Sequence, residues 1–506
     1  MSQSPLTQAQ RKAVSTLLRV PPVADDLGRR FAAAGHELHL VGGPVRDALL
    51  GRPGADLDFT TDARPDRVLE LLEGWAEACW TTGISFGTVG ARRAGYQCEI
   101  TTFRADRYDR ISRNPVVAYG DSLTDDLVRR DFTVNAMALS VPDHRFTDPH
   151  GGLRDLTDRV LRTPATPEES FADDPLRMMR AARFVSQLGL APVPEVVRSM
   201  RDMADQIERI TVERIQAELT KLLLGEFPRA GLELLVQTGL ADRVLPELPA
   251  LRMEIDEHHQ HKDVYAHTLT VLERAIDLEG PGGPDLVLRL AALLHDIGKP
   301  ATRRHEPAGG VSFHHHEVVG AKLARRRLRA LRYSREVTED VARLVYLHLR
   351  FHGYGRGEWT DSAVRRYVTD AGPLLDRLHR LVRSDCTTRN RRRAQALAET
   401  YDALEDRIEA LRAQEELDRI RPDLNGDQIM ELLGLEPGPL VGQAYRHLLN
   451  ARMERGQLNR DEAVTELYRW ARQNGVPVPG ERPAQQPDDR PGERPGERPD
   501  EQPYQH

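Results

Sequence analysis

Residues 39–65, HLVGGPVRDALLGRPGADLDFTTDARP, carry three signals in close succession. A short β-type run ends at Val41, a Gly-Gly turn leads into a short helix, and a second strand carries two aspartates two residues apart. At Gly42 and Gly43 the absence of side chains lets backbone N–H groups approach an anion closely, and a helix N-terminus favours negative charge. Arg46, in the first turn, offers a planar fork to phosphate oxygens. A glycine pair before a helix is common, so this signal alone is weak. In ADLDFT, Asp56 and Asp58 project from one face and Leu57 and Phe59 from the other. Such paired carboxylates are hard oxygen ligands suited to Mg²⁺. Two such ions can activate a hydroxyl and stabilise a leaving pyrophosphate. An isolated Asp-x-Asp is more often a pair of solvated acids; downstream of the glycine turn and arginine, it reads as a nucleoside-triphosphate site. Glu99, in QCEITTFR, is either a third carboxylate on the same sheet or an ordinary exposed strand residue.

At 506 residues the chain is long enough for two to four domains. Hydrophobic residues at 40% suffice for packed cores, and 29% charged against 5% aromatic residues indicate a helix-rich protein. A net charge of −7 does not mark a general nucleic-acid binder, although phosphate contacts depend on local patches. Neither a leader nor an apolar run of about 18 residues is evident, which predicts a cytoplasmic protein without membrane association. The three cysteines, Cys79, Cys98 and Cys386, show neither disulfide nor zinc spacing.

Residues 1–22 read as an N-terminal extension. From there to about Leu139 short β-type runs alternate with helical stretches, an α+β pattern. The segment DHRFTDPHGGLRDLTDRVLRTP is a turn-rich connector. Beyond it, DPLRMMRAARFVSQLGL, VERIQAELTKLLLG and LVLRLAALLHDIG carry helical periodicity, so the remainder reads as all-α. The last stretch, 476–506, is Pro-rich, charged and poor in apolar residues, which predicts disorder.

GGPVRDALLGRPGADLDFTT, DLVRRDFTVNAMAL, DPHGGLRDL and ESFADDPLRMMRAARF together resemble, in order and spacing, the class II tRNA nucleotidyltransferases. These are the CCA-adding enzymes and the related bacterial poly(A) polymerases of the DNA polymerase β-like superfamily. The likeness runs from about residue 22 to about 460. It implies a nucleotidyltransferase head over 23–155, a helical neck with a base-recognition helix over 156–250, and a helical body and tail over 401–475. Between neck and body, 251–400 resembles an HD domain.

The resemblance also implies roles. Gly42, Gly43 and Arg46 would hold the triphosphate, and Asp56 and Asp58 the catalytic Mg²⁺ ions. Arg129, Arg130 and Asp131 match the ribose-recognition segment, with Arg130 the direct contact. Residues 148–155 match the flexible join between head and neck. Asp174 and Arg177 match the residues that read the incoming base, with Arg180 and Arg183 lining the same site. The residues themselves agree. Asp174 before Pro175 reads as an N-cap, and Asp173, Asp174, Arg177 and Arg180 fall on one helical stripe. Such a stripe, without the neighbouring motifs, is more often a set of surface ion pairs. A carboxylate accepts from the exocyclic amine that cytosine and adenine both present, whereas guanine and uracil present a carbonyl there. The family usually has Glu-Asp where this chain has Asp173-Asp174, and the implied role of Asp173 is supporting.

GTVGARRAGYQCEITTFR looks more like the CCA-adding than the poly(A) form. The implied substrates are CTP, ATP and a tRNA 3′ end, with no obligatory protein partner. A poly(A) polymerase, or an enzyme adding only A or only C, is the alternative. A non-catalytic RNA-binding protein is disfavoured, because competent residues fill every charged motif position.

The set His267, His295-Asp296 and Asp385 resembles the HD phosphohydrolases. His316 and His348 stand where two-metal members add ligands. Imidazole with carboxylate suits a divalent metal whose identity the sequence leaves open. The site is either active on phosphate esters or a structural metal site. Two basic runs, KLARRRLRALR (322–332) and RNRRRAQA (389–396), are solvated helix faces or a track for tRNA.

Overall fold

A computed structural model of the chain describes residues 18–52, 54–105, 118–120, 122–253, 263–307, 310–353, 359–386, 391–415 and 421–479. Most of the N-terminal extension and of the Pro-rich tail lies outside the described residues. The chain forms two compact units, 1–351 with 373–398, and 352–372 with 399–506.

The first unit opens with a seven-stranded sheet. Its strands are β1 (Leu38–Val41), β2 (Asp56–Thr61), β3 (Ala78–Trp80), β4 (Thr88–Arg93), β5 (Tyr96–Thr102), β6 (Ala138–Ser140) and β7 (Phe146–Thr147). They lie in the order β3-β4-β5-β2-β1-β6-β7. Every neighbouring pair is antiparallel except β2 and β5. Period-two burial is clear in the middle of the sheet. Leu57, Phe59, Val89, Ala91, Cys98 and Ile100 point into the core, while Asp56 and Glu99 are exposed. On the core side, α1 (Pro22–Ala33) packs on β1, and α3 (Pro65–Leu72) packs on β4 and β5. Between them α2 (Gly43–Leu49) follows the glycine turn. The short α4 (Leu123–Val128) and α5 (Gly152–Thr157) flank the last strands.

The neck begins with α6 (Pro167–Asp173) and α7 (Leu176–Leu188) and continues through α8 (Pro194–Asp202), α9 (Val212–Leu223), α10 (Pro228–Gln237) and α11 (Leu240–Val244). Helix α7 packs on α9 and α10. A Cβ at Gly231 would sit 2.6 Å from the Ala182 carbonyl oxygen, so glycine sets how closely α10 approaches α7. Residues 148–155 are pinned by hydrogen bonds: Asp148 accepts from the Gly152 and Leu153 N–H groups, and buried Asp155 accepts from Thr133.

The HD bundle comprises α12 (Val264–Asp277), α13 (Leu286–Leu294), α14 (Lys299–Thr302), α15 (His316–Ala330) and α16 (Arg335–Leu347). Helix α17 (Asp361–Ala371) belongs to the second unit, and α18 (Leu375–Asp385) returns to the bundle. Apolar on nearly every side, α13 is central and packs against α12, α16 and α18. Its buried Arg289 holds Glu279 with both prongs (2.7 Å each) and donates to the carbonyls of Leu223 and Gly225 at 2.6 and 2.8 Å. Two-residue ribbons, Val160–Leu161 with Ala191–Pro192 and Arg304–His305 with Val311–Ser312, interrupt the part read as all-α. Strands that short show no alternation in sequence.

The second unit contains α17, the greater part of α19 (Arg391–Glu415), α20 (Gly426–Leu433), α21 (Pro439–Arg455) and α22 (Arg460–Gln473). Leu424, Ile429, Leu433, Leu448, Leu467 and Trp470 form its core. Residues 352–372, within the stretch assigned to the HD domain from sequence, group with this unit.

One buried pair ties head to neck. Asp131, 8% exposed, accepts from Arg180 Nε at 2.8 Å and from the Asn135 amide at 2.9 Å. Burial alone would raise its pKa, but the Arg180 guanidinium and the Asn135 amide outweigh burial and hold it at about 2. A carboxylate depressed below its unfolded value of 3.8 adds stability that is complete above that value and lost as pH falls through about 2. Asp131→Asn should therefore cost about 2 kcal/mol at neutral pH, discounted because Arg180 is partly exposed. The gap from the parent protein in urea denaturation should narrow as pH falls from 4 towards 2.

Candidate active site

The glycine turn does what its sequence requires. Gly42 has φ 74°, and a Cβ there would lie 3.0 Å from Arg130 Nη1 and 3.6 Å from Asp58 Oδ2. Only glycine combines that backbone with that crowding. The turn, the Arg130 guanidinium and the Asp58 carboxylate therefore share one small volume. Glu99 lies directly across from Asp58 in the parallel pairing of β2 and β5, so it joins the same carboxylate-bearing face. Burial and the Glu99 charge, with a smaller push from Asp56, raise the pKa of Asp58 to about 6 against the pull of Arg130 and Arg46. Carboxylates that repel one another beside a phosphate-sized turn suit a divalent cation, which would relieve that repulsion.

Arg46 lies beside the turn with its donors engaged. Its fork is filled by Asp47 (2.8 and 2.9 Å), and Nη1 reaches Asn135 at 2.7 Å. The guanidinium lies 5.2 Å from the Phe184 ring centre, and Nη2 comes within 3.6 Å of a Cβ position at Gly43. The guanidinium closest to Gly42 is thus that of Arg130, itself 3.2 Å from Asp126.

At the neck, Asp174 has φ −142° and its Oδ1 accepts from the Leu176 N–H at 3.1 Å. This is the expected capping interaction, with the helix counted from Leu176. Pro175 disfavours helical backbone at the residue before it, so the chain turns at Asp174. Consequently Asp173 closes α6 and does not share the α7 stripe, a correction to the sequence reading. Arg177 donates to Ser170 Oγ at 2.8 Å and to the Arg129 carbonyl at 2.6 Å. Its neighbour Arg180 holds Asp131. Arg183 is 7% exposed and paired with Glu218 at 3.0 Å; burial and repulsion from Arg180 lower its pKa to about 10. It braces α7 on α9. Sequence reasoning missed Arg214, which meets Asp174 Oδ2 at 2.8 Å from α9, and Phe184, whose ring lies 4.4–5.6 Å from three guanidiniums. Arg214 carries no motif signal, and Phe184, though it ends the ESFADDPLRMMRAARF stretch, shows its role only when α7, α9 and the head pack.

The HD bundle holds a second constellation. The donor atoms of His267, His295 and Asp385, and separately those of Asp296, His316 and His348, lie within 4.8 Å of one another. His295, His316 and His348 each direct Nδ1 at a backbone carbonyl, of Ala292, Phe313 and Val345, at 2.8, 2.8 and 2.6 Å. That fixes Nδ1 as a hydrogen-bond donor in each ring and leaves Nε2 to the donor sets. All three Nε2 atoms are buried without a hydrogen-bond partner. Burial and the nearby His295 push His348 down to about 3, so it stays neutral. Burial opposes ionisation of Asp296 and Asp385, yet surrounding imidazoles, and Lys299 beside Asp296, hold both well below the usual carboxylate range. Asp296 Oδ1 is 3.3 Å from His316 and Oδ2 is 3.2 Å from His295, which places this carboxylate between the two sets. Buried imidazole nitrogens set among ionised carboxylates fit divalent metal ions.

The basic run 322–332 is largely committed. Arg325 and Arg329 share Glu339, and Arg327 holds Glu247. The run 389–396 begins outside the described residues. No helix among the described residues is long and apolar enough to cross a membrane.

Three family models match in succession. They are described as "Poly A polymerase head domain" over residues 38–162, "Probable RNA and SrmB- binding site of polymerase A" over 189–251, and "HD domain" over 264–390. An A-adding tRNA nucleotidyltransferase of Deinococcus radiodurans is 35% identical over 450 residues, covering 86% of this chain and 95% of the relative. A CCA-adding enzyme of Anoxybacillus flavithermus is 30% identical over 445 residues, covering 87% and 94%. The crystal structure of the Bacillus stearothermophilus CCA-adding enzyme in complex with CTP superposes with a TM-score of 0.64 at 25% identity, covering 90% of this chain and 99% of that one. With the glycine turn and carboxylate pair on a mixed head sheet, a helical neck and an HD bundle in this order, the chain belongs to the CCA-adding tRNA nucleotidyltransferase family and is a nucleotidyltransferase.

Proposed function

We propose that this protein adds C and A nucleotides from CTP and ATP to the 3′ end of tRNA without a nucleic-acid template, releasing pyrophosphate. The observation that carries the reading is the set of contacts that joins the Gly42 turn to the helix that Asp174 caps. Arg130 lies against Gly42 and Asp58, the Arg129 carbonyl accepts from Arg177, and Asp131 holds Arg180. Arg130 and the Gly42 turn bind the triphosphate and Arg129 to Asp131 the ribose, while Asp174 and Arg177 take the base. Mg²⁺ held by Asp56 and Asp58 would supply Lewis-acid activation of the attacking 3′ hydroxyl and charge neutralisation at the pyrophosphate. With Oδ1 fixed by the Leu176 N–H and Oδ2 by Arg214, Asp174 presents its remaining lone pairs in a set direction. An exocyclic amine satisfies them; the carbonyl of G or U faces them unfavourably.

A second reading, addition of A alone, is favoured by the likeness to the Deinococcus radiodurans A-adding relative. The HD bundle would hydrolyse phosphate esters with divalent metals, carried by the six residues of its two adjoining donor sets.

Incubating the protein with tRNA lacking its 3′ end and each nucleotide in turn, then sequencing the products, separates the readings. C, then C, then A supports full addition. A single A on CC-ended tRNA alone supports the second reading, and long A tails on generic RNA would overturn both. Asp58→Ala should lose at least about 10³-fold in rate, as expected for a metal-held group, while tRNA affinity in filter binding stays near that of the parent. Asp174→Ala should raise G and U incorporation relative to C and A by more than it raises the KM for CTP. Unchanged discrimination would contradict its role. Asp296→Ala should abolish metal-dependent phosphatase activity and leave nucleotide addition within about twofold of the parent, read in parallel assays.

A further inference from the structure

The row of residues that crosses the sheet at Asp58 continues beyond the carboxylates. Asp58 faces Glu99, Glu99 faces Gly90, and Gly90 faces Trp80 on the edge strand β3. Residues paired in this way share one sheet face. At Gly90 a Cβ would lie only 2.0 Å from Trp80 Nε1 and 2.1 Å from Cε2, so the indole rests directly on the Gly90 backbone. Its ring thus leans inward from the edge, along the row towards Glu99. Gly90 shows no positive φ, so the ring, not the backbone, is what requires glycine there. Trp80 is half-buried, and among the described residues neither a ring nor a cation stacks on it.

We propose that Trp80 is a stacking platform for the unpaired 3′-terminal base of the acceptor RNA, an inference that rests on the head-site reading above. The direction of the reaction supplies the argument. In phosphoryl transfer the attacking and leaving oxygens lie in line across the phosphorus. The Gly42 turn and Arg130, where the pyrophosphate departs, follow β1 on one side of β2. The attacking hydroxyl therefore approaches from the other side, over β5 and β4, where the row runs Glu99, Gly90, Trp80. With strands about 4.8 Å apart, a ring over Gly90 stands roughly 10 Å from the Asp58 strand, within reach of the base whose own ribose is at the metal site. On the same face, Arg92 of β4 faces Gln97, which faces Asp56. Its side chain is 58% exposed, 4.0 Å from the similarly exposed Glu77, and offers positive charge to the phosphates of the acceptor. Aromatic stacking tolerates any base. An acceptor end whose last nucleotide changes with each addition needs that tolerance.

Steady-state kinetics on Trp80→Ala, Trp80→Phe and Gly90→Ala test this. Trp80→Ala should raise the KM for the acceptor RNA about tenfold or more while leaving the KM for CTP or ATP unchanged, and Trp80→Phe should recover most of the loss. Gly90→Ala, which keeps the indole but displaces it, should also raise the acceptor KM selectively. In an Asp58→Ala background, a short RNA hairpin ending in unpaired C should quench tryptophan fluorescence, and Trp80→Phe should remove that quench. An acceptor KM within twofold of the parent in Trp80→Ala, or a parallel rise in nucleotide KM, overturns the platform. The two readings fail separately: an active Asp58→Ala protein sinks the head-site assignment, whereas an inactive one with an unaltered Trp80→Ala acceptor KM sinks the platform alone.

Discussion

The pairing of Asp131 with Arg180 is the constraint on which the rest of the site depends. Asp131 belongs to the head segment that follows α4, and Arg180 to the helix that Asp174 caps. A buried charge is costly unless paired, so the two elements are held in one relative position. Arg180 also lies 3.9 Å from Glu218, and the adjacent Arg183 completes that carboxylate's partners. Around the Phe184 ring, three guanidiniums are kept apart by Asp47, Asp131 and Glu218. Much positive charge is thereby stored beside the nucleotide site without an open cationic surface.

Local signals were legible where the chain's own covalent geometry determines them. Alternation put Asp56 and Asp58 on one face, the glycine pair marked a turn that needs φ above zero, and Asp-Pro marked a helix start. What escaped depends on packing between distant segments. Arg46 was readable as a phosphate fork, but Asp47 beside it and Asn135, 89 residues on, take its donors. Arg214 reaches Asp174 from a helix with no motif of its own. A helical stripe cannot run from Asp173 to Arg177, because Pro175 forces Asp174 out of helix. Glu99, ambiguous in sequence, was decided by strand register alone.

The two metal-suited sites illustrate different solutions to one electrostatic problem. In the head, carboxylates crowd until one of them is reluctant to ionise, and positive charge from Arg130 and Arg46 only partly compensates. In the HD bundle imidazoles join the carboxylates, those of His295, His316 and His348 each oriented by a backbone carbonyl three residues earlier.

Arg289 bears on how such a chain can change over time. Its guanidinium closes the carbonyls at the end of α9 while remaining part of the central HD helix. A chain that lost the bundle would leave those carbonyls, and the apolar side of α9 and α10, facing water. The neck is therefore not a detachable module, and substitutions among the bundle's histidines and aspartates are easier to accommodate than loss of its helices, which serve the neck as scaffolding.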